Sequence, residues 1–325
     1  MKLKKIKRMV AVGTAILMTL SLAGCGIGSD SVKLGAAGVG GGYYAFSNAF
    51  AQIASSEDED LDFEVKATAG SMANIRLLSD GYVDMAIAQA DLVDAAYNGT
   101  GATDKKRYRG YSAVASLYTE ACQIVVRADS GIDSLDDLQG KKISVGEEES
   151  GTQRNAEQIL KMTGLVESLV DTVNLDYVDA ANELKSGQID AFFCTAGIQT
   201  SVIEELSKEC DVKLIGIDDK CRDRLKSVYG FYTDYTIPAG TYEGQTQDVV
   251  TLGVRAVLLA RDDMDEKIVE ELTGLLFEHA QDIQYSIALT FQIDESEAVK
   301  NVTIPFHDGA KAYYQKKGIE IPAEQ

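Results

Sequence analysis

Leu77-Leu78-Ser79-Asp80-Gly81-Tyr82-Val83-Asp84-Met85-Ala86-Ile87 returns in outline 106 residues later as Glu183-Leu184-Lys185-Ser186-Gly187-Gln188-Ile189-Asp190-Ala191-Phe192-Phe193. Each copy reads as the last turns of an amphipathic helix, a glycine at its C-terminal cap, and then a buried apolar strand. The residues upstream match as well. Val32 to Ala36 predicts a short strand, followed by a glycine loop and the helical pattern Tyr44 to Ile53. Lys142 to Val145 predicts another, followed by Gly146 to Thr152 and the helical pattern Arg154 to Met162. A middle strand comes next in both copies, Phe63 to Thr68 and Thr172 to Val178. Each half therefore reads β-α-β-α-β, an α/β fold with a mostly parallel sheet and helices on both faces.

The remaining segments complete two lobes. Ile124 to Arg127 reads as a strand leaving the first half, and Asp133 to Gly140 as a short helix before the second. Val212 to Ile217 reads as a strand, and a charged helix is expected around Asp219 to Val228. Thr251 to Ala260 is a strongly apolar strand, and Asp265 to Ala280 an amphipathic helix that contains Gly274. The C-terminal pieces are expected to return to the first lobe, with crossovers near Val126 and Ile237. That gives lobe 1 as residues 32–125 plus 238–325 and lobe 2 as residues 126–237. Two crossing strands make a hinge, and a ligand would sit in the cleft between the lobes.

The N-terminus is a secretory signal in composition. Lys2, Lys4, Lys5, Lys7 and Arg8 precede an apolar run from Met9 to Leu22. That run is shorter than the ~20 residues that cross a bilayer, so it reads as a removable signal over residues 1–24. Leu22-Ala23-Gly24-Cys25 resembles the lipobox of bacterial lipoproteins. The resemblance implies cleavage before Cys25, diacylation of its thiol, and a lipidated tether over residues 25–31. The expected location is outside the cytoplasm, anchored by lipid to the cell membrane.

Charge narrows the partners. Losing the five basic residues of the signal takes the net charge from −20 to −25. Such a balance opposes binding to nucleic acid and to anionic headgroups, whereas a small anion can still be held by local amide dipoles. Beyond Cys25, the cysteines are Cys122, Cys194, Cys210 and Cys221. Cys210 and Cys221 either pair across a loop or remain buried free thiols. His279 and His307 are the two histidines, which leaves little material for histidine catalysis or a His-rich metal site. No cofactor, metal or catalytic residue is expected.

Three loops, two strand ends and one tyrosine carry the candidate binding residues. Gly38-Val39-Gly40-Gly41-Gly42-Tyr43-Tyr44 stands between strand and helix, but Tyr43 breaks the dinucleotide pattern. Its glycines either form a tight turn or let an anion approach the amides of a helix start. Ser71, in Ala69-Gly70-Ser71-Met72-Ala73-Asn74, either caps the next helix or, with Asn74, holds a carboxylate. Ser150, Gly151 and Thr152 offer hydroxyls and amides at the equivalent start in the second half. Glu147, Glu148 and Glu149 precede them and are expected to face water. Gln89 follows the first repeated strand, and Thr195 and Ala196 follow the second, where ligands bind in open parallel sheets. Tyr118 either stacks on the ligand or packs in the core.

In order and spacing these residues resemble the TAXI-type substrate-binding proteins of TRAP transporters. The resemblance is carried by Gly40 to Tyr44, by Ala69-Gly70-Ser71 with Asn74 to Leu78, and by Asp84 to Asp91. Val125 to Ile132, Leu138 to Lys142, Ser150-Gly151-Thr152, Gly187 to Phe193, Ile237 to Tyr242 and Phe306 to Ala310 complete it. It implies a type II periplasmic-binding-protein-like receptor without catalysis. Such a receptor closes on a small carboxylate, a glutamate-like amino acid or a dicarboxylate, and delivers it to a membrane permease driven by an ion gradient. Gly42, Tyr43, Tyr44, Ser71, Asn74, Gln89, Tyr118, Ser150, Gly151, Thr152, Thr195 and Ala196 are the expected ligand contacts. Glu147 to Glu149, Ile198 and Gln199 depart from the family pattern beside the cleft. A binding protein of an ATP-driven importer, a receptor-docking sensor lipoprotein and an exported enzyme remain the alternatives on the same scaffold.

Overall fold

A computed structural model describes residues 31–101, 105–166, 168–287 and 293–322. The signal and Cys25 lie outside the described residues. The first half runs β1 (Val32–Gly35), α1 (Gly42–Glu57), β2 (Phe63–Lys66), α2 (Ser71–Ser79), β3 (Met85–Gln89) and α3 (Ala90–Asn98). A long strand, β4 (Tyr111–Arg127), leads to β5 (Lys142–Ser144), α4 (Gly151–Thr163), β6 (Asp171–Val173), α5 (Tyr177–Ser186), β7 (Ala191–Ala196) and α6 (Ser201–Glu209). Then come β8 (Val212–Leu214), α7 (Asp219–Val228), β9 (Thr233–Ile237), β10 (Val249–Arg261), α8 (Glu266–Glu278), α9 (Ala280–Ser286) and α10 (Asp308–Lys317).

The repeat is visible in the backbone. In one half β1 pairs in parallel with β2 and β3; in the other, β5 pairs in parallel with β6 and β7. Gly81 and Gly187 both end their helices in the left-handed region, at φ 75° and 76°. Each donates its N–H to the residue three earlier, at 3.0 and 3.1 Å. The two aspartates then perform the same task. Asp84 accepts from the Lys33 amide and Asp190 from the Lys142 amide, both at 2.9 Å, which sets the register of the strand that follows.

The two halves join through β10 and β4, which lie side by side and antiparallel at the centre of the sheet order β2-β1-β3-β10-β4-β7-β5-β6. β8 adds to β4, and β9 to β10. Both long strands change core partway along. Tyr118 packs with Phe46, Phe50 and Leu258 in the first core, whereas Cys122 and Ile124 pack with Ile159, Phe193 and Leu225 in the second. On β10, Ala256 to Ala260 belong to the first core and Leu252 and Val254 to the second. Alternation along β7 sends Phe193 to one face and Phe192 to the other, against Leu184 and Ile203.

Local side chains moved several boundaries from their expected places. The strand expected over Thr172 to Val178 ends at Val173, because the Asp176 carboxylate accepts the Asp179 amide at 2.8 Å and starts a helix there. Asp133 to Gly140 is reduced to a 3-10 turn at Asp136–Leu138, since the Asp137 carboxylate takes the amides of Asp133 and Ser134. Ile124 to Arg127 is only the end of β4, which is almost wholly buried from Tyr111 onward. Cys122, Cys194, Cys210 and Cys221 are all free thiols, so the pairing of Cys210 with Cys221 is not made.

The C-terminal helices pack with little tolerance. A Cβ on Gly309 would collide with the Glu266 carbonyl oxygen and stand 2.8 Å from the Glu270 amide, both backbone atoms of α8. Gly309→Ala is expected to force α10 away from α8 and cost about 1–3 kcal/mol. Urea unfolding would measure it; an unchanged midpoint would mean the two helices can part freely.

Candidate functional site

Three residue pairs related by the repeat line one small cavity. Ser71 and Tyr177 open α2 and α5, and Gln89 and Thr195 stand at the ends of β3 and β7. Tyr43 and Thr152 take the second positions of α1 and α4. All six line a space of about 40 Å³ at the carboxyl ends of the parallel strands, between the two halves of the sheet. The starts of α1, α2, α4 and α5 meet there, each carrying roughly half a positive charge from its aligned peptides. A wider surface trough of about 750 Å³ lies between Asp133–Asp136, β8 and the 244–250 segment. Its one helix start, at Asp218, is already capped by that residue's carboxylate.

Of the expected ligand contacts, Tyr43, Ser71, Gln89, Ser150, Gly151, Thr152 and Thr195 line the cavity; Gly42, Tyr44, Asn74, Tyr118 and Ala196 do not. Tyr118 is packed against Phe46, and Ala196 is buried beneath α5 and α6. Asn74 faces the sheet: its Nδ2 donates to the carbonyls of Gly35, Ala36 and Ile87, and its Oδ1 accepts from Thr68. Ser71 is not a cap, because Gly70 takes that position; its hydroxyl instead accepts the Gln89 amide at 3.1 Å. Ser150 does cap α4, accepting the Gln153 amide at 2.9 Å.

Reasoning from sequence misses Tyr177, Asp176, Glu147 and Glu120. A signal existed for the first, since Tyr177 lies at the repeat distance from Ser71. Its hydroxyl donates to the Thr195 carbonyl at 3.1 Å and lies 2.6 Å from Thr152 Oγ1, which in turn accepts the Thr195 amide. These hydroxyls satisfy one another and lock α4, α5 and β7 together at the cavity wall.

The acids behave differently from the expected solvated face. Glu148 is exposed, but Glu147 is half-buried and lines the cavity opposite Gly38 and Asp176. Burial, with Asp176 nearby, raises its carboxyl above the usual range. Glu149 reaches across to the other half. Its carbonyl accepts the Met72 and Ala73 amides at 2.9 and 3.3 Å, and its carboxylate meets Arg76 at 3.2 and 2.7 Å. The Glu149 backbone is left-handed, φ 64°, a conformation that costs a glutamate roughly 1 kcal/mol or more. Its exposed ion pair with Arg76 contributes at most about 1 kcal/mol. The cross-cleft contact therefore holds the halves together only weakly.

Behind the cavity, at the point where β4 changes core, stands Glu120. It is 2% exposed and accepts from Tyr43 Oη at 2.7 Å and Gln89 Nε2 at 3.4 Å. Burial pushes its carboxyl up to about 8, with the bonds from Tyr43 and Gln89 opposing. Asp91, at the start of α3, is raised to about 6 by burial, with Arg154 pulling the other way. Gln89 is also 2% exposed, and its Oε1 has no hydrogen-bond partner among the described residues. No lysine or arginine among the described residues lines the cavity. Among the described residues no cluster of His, Cys, Asp and Glu is arranged to hold a metal ion, and no helix is long and apolar enough to cross a membrane.

Two solved structures share this architecture. MatC from Rhodopseudomonas palustris, solved with bound malate, is 14% identical over 82% of this chain and 91% of its own, with a TM-score of 0.58. A protein from Bordetella bronchiseptica RB50 is 16% identical over 89% of this chain and 98% of its own, also with a TM-score of 0.58. The fold is that of the type II-like periplasmic binding proteins, with its curled mixed sheet and flanking helices. Residues 34–318 match the NMT1-like family, and with the repeat and the cleft inside that span, the chain belongs to it.

Proposed function

We propose that this protein is an extracytoplasmic solute receptor that binds a small carboxylate between two lobes and delivers it to a TRAP-type membrane permease of the TAXI class. Diacylated Cys25 would hold it at the cell membrane. The observation that carries the reading is the convergence of four helix starts on a cavity at the strand ends, with β4 and β10 as the connecting strands. Helix dipoles at such a point favour a carboxylate without a cationic side chain, and parting the halves would release the Met72 and Ala73 amides now bonded to Glu149.

The cavity of about 40 Å³ has room for one or two water molecules, so a solute enters only when the halves part. Bending β4 and β10 where they change core would part them, breaking the Glu149 contacts with α2 and the bond from Ser201 Oγ to the Gly40 carbonyl. The test is thermal unfolding of solute-stripped protein with amino acids and dicarboxylates, paired with small-angle scattering. A bound solute at 100 times its dissociation constant is expected to add about 2.7 kcal/mol, several degrees in Tm, and to change the radius of gyration. No shift with any small carboxylate would refute the reading.

A further inference from the structure

We propose that the solute carries a protonated amino group beside its carboxylate and no second acid, the amine seated on Gln89 Oε1 and Glu147 in front of Glu120. This rests on the receptor reading and names its solute class. The helix starts supply positive potential to one part of the cavity, and that part suits a carboxylate. The charged side chains among the described lining residues are acidic. Glu147 and Asp176 face the space from the second half, and Glu120 lies one hydrogen bond behind both Tyr43 and Gln89.

The unpaired atom decides the sign. Gln89 Oε1 is a buried acceptor at the cavity wall, and an unmet acceptor there costs about 1–3 kcal/mol until a donor arrives. Its own Nε2 is turned to Glu120, so the free end offered to a solute is the oxygen. An ammonium brings three donors and a positive charge to that oxygen and to Glu147. A second carboxylate there would bring only acceptors, against an acceptor and three acids, with no lysine or arginine in the lining to meet it. Such a juxtaposition selects against dicarboxylates as strongly as it selects for amines.

Binding should also move a proton. Glu120 faces Tyr43 from α1, Gln89 from β3, Asp91 from α3, Tyr118 and Cys122 on its own strand, and Tyr177 and Cys194 from the second half. None of these is a cation. With its carboxyl raised to about 8, Glu120 is mostly protonated at pH 7, and an arriving ammonium would drive that proton off.

Calorimetry on the full-length protein, unfolded and refolded to strip bound solute, tests this with L-glutamine, L-alanine, L-ornithine, L-glutamate, succinate and L-malate. The amino acids without a second acid are expected to bind at least tenfold more tightly than succinate, L-malate and L-glutamate. At pH 7, titrations in buffers of different ionisation enthalpy should show proton release. Glu120→Gln, which keeps the shape and the hydrogen bonds, should abolish that release and weaken L-glutamine at least tenfold. Glu147→Gln, at the half-exposed rim, should weaken it without changing proton release. Tighter binding of succinate, L-malate or L-glutamate, or proton uptake, would overturn the inference and leave the receptor reading standing. Binding of none of the six would overturn both.

Discussion

Glu120→Gln is expected to make the unliganded protein more stable at pH 8, by on the order of 3–4 kcal/mol, and to flatten its loss of stability with pH. The native carboxyl is raised to about 8 from an ordinary value of 4.5, because it is buried and the hydrogen bonds it accepts compensate only in part. A group raised on folding stabilises the native state fully below its unfolded value and loses that contribution as pH climbs to the folded one. The loss therefore runs from about pH 4.5 to about pH 8. Asp91, raised to about 6, adds to the lower part of that window. Paired surface acids such as Asp234 and Asp263 are lowered instead, so their contribution is lost only on acidification below the ordinary range. Urea unfolding at pH 5, 6.5 and 8 separates the two. A wild-type midpoint that keeps falling up to pH 8, and a variant midpoint that levels off above about pH 6 once Asp91 has titrated, is the expected pair. Equal slopes would mean that Glu120 is ionised in the native state throughout.

Asn74→Ala is expected to cost about 3 kcal/mol, and Asn74→Asp more, though neither changes a residue at the cavity wall. The carboxamide ties the ends of β1 and β3 to α2, donating to Ile87 at 2.8 Å and Gly35 at 3.4 Å and accepting from Thr68 at 2.7 Å. Alanine would leave those buried carbonyls unpaired. Aspartate would keep the shape but turn a negative oxygen toward carbonyls that need a donor, and burial gives it no counter-charge. Chemical denaturation gives both numbers. If both variants cost under 1 kcal/mol, the amide is not the staple of the first half.

That second case shows where sequence reasoning stops. Asn74 and Ser71 lie three residues apart in the first turn of α2, and both offer a hydrogen-bond donor that suits a carboxylate. Which of them faces the cleft depends on the rotation of α2 about its axis, and that is set by Ile75 and Leu78 entering the core. No local pattern reports it. Glu147 and Glu149 behave alike in this respect. As a run of acids they read as solvated, yet α2, far earlier in the chain, meets them across the cleft: Glu147 is half-buried at the cavity wall, and Glu149, still exposed, pairs with Arg76.

The repeat, by contrast, was written in the chain. Helix, left-handed glycine, aspartate and buried strand each act through neighbours within a few residues, so Gly81 with Asp84 and Gly187 with Asp190 specify their units locally. From those units the α/β class and the parallel strands follow. Only tertiary structure placed Glu120. It sits in a long, almost wholly buried strand, and the Tyr43 and Gln89 side chains that meet it come from elements distant from it in sequence. Short-range preferences determine the units and their handedness; the electrostatics of the cleft come from long-range packing, which no stretch of the sequence contains by itself.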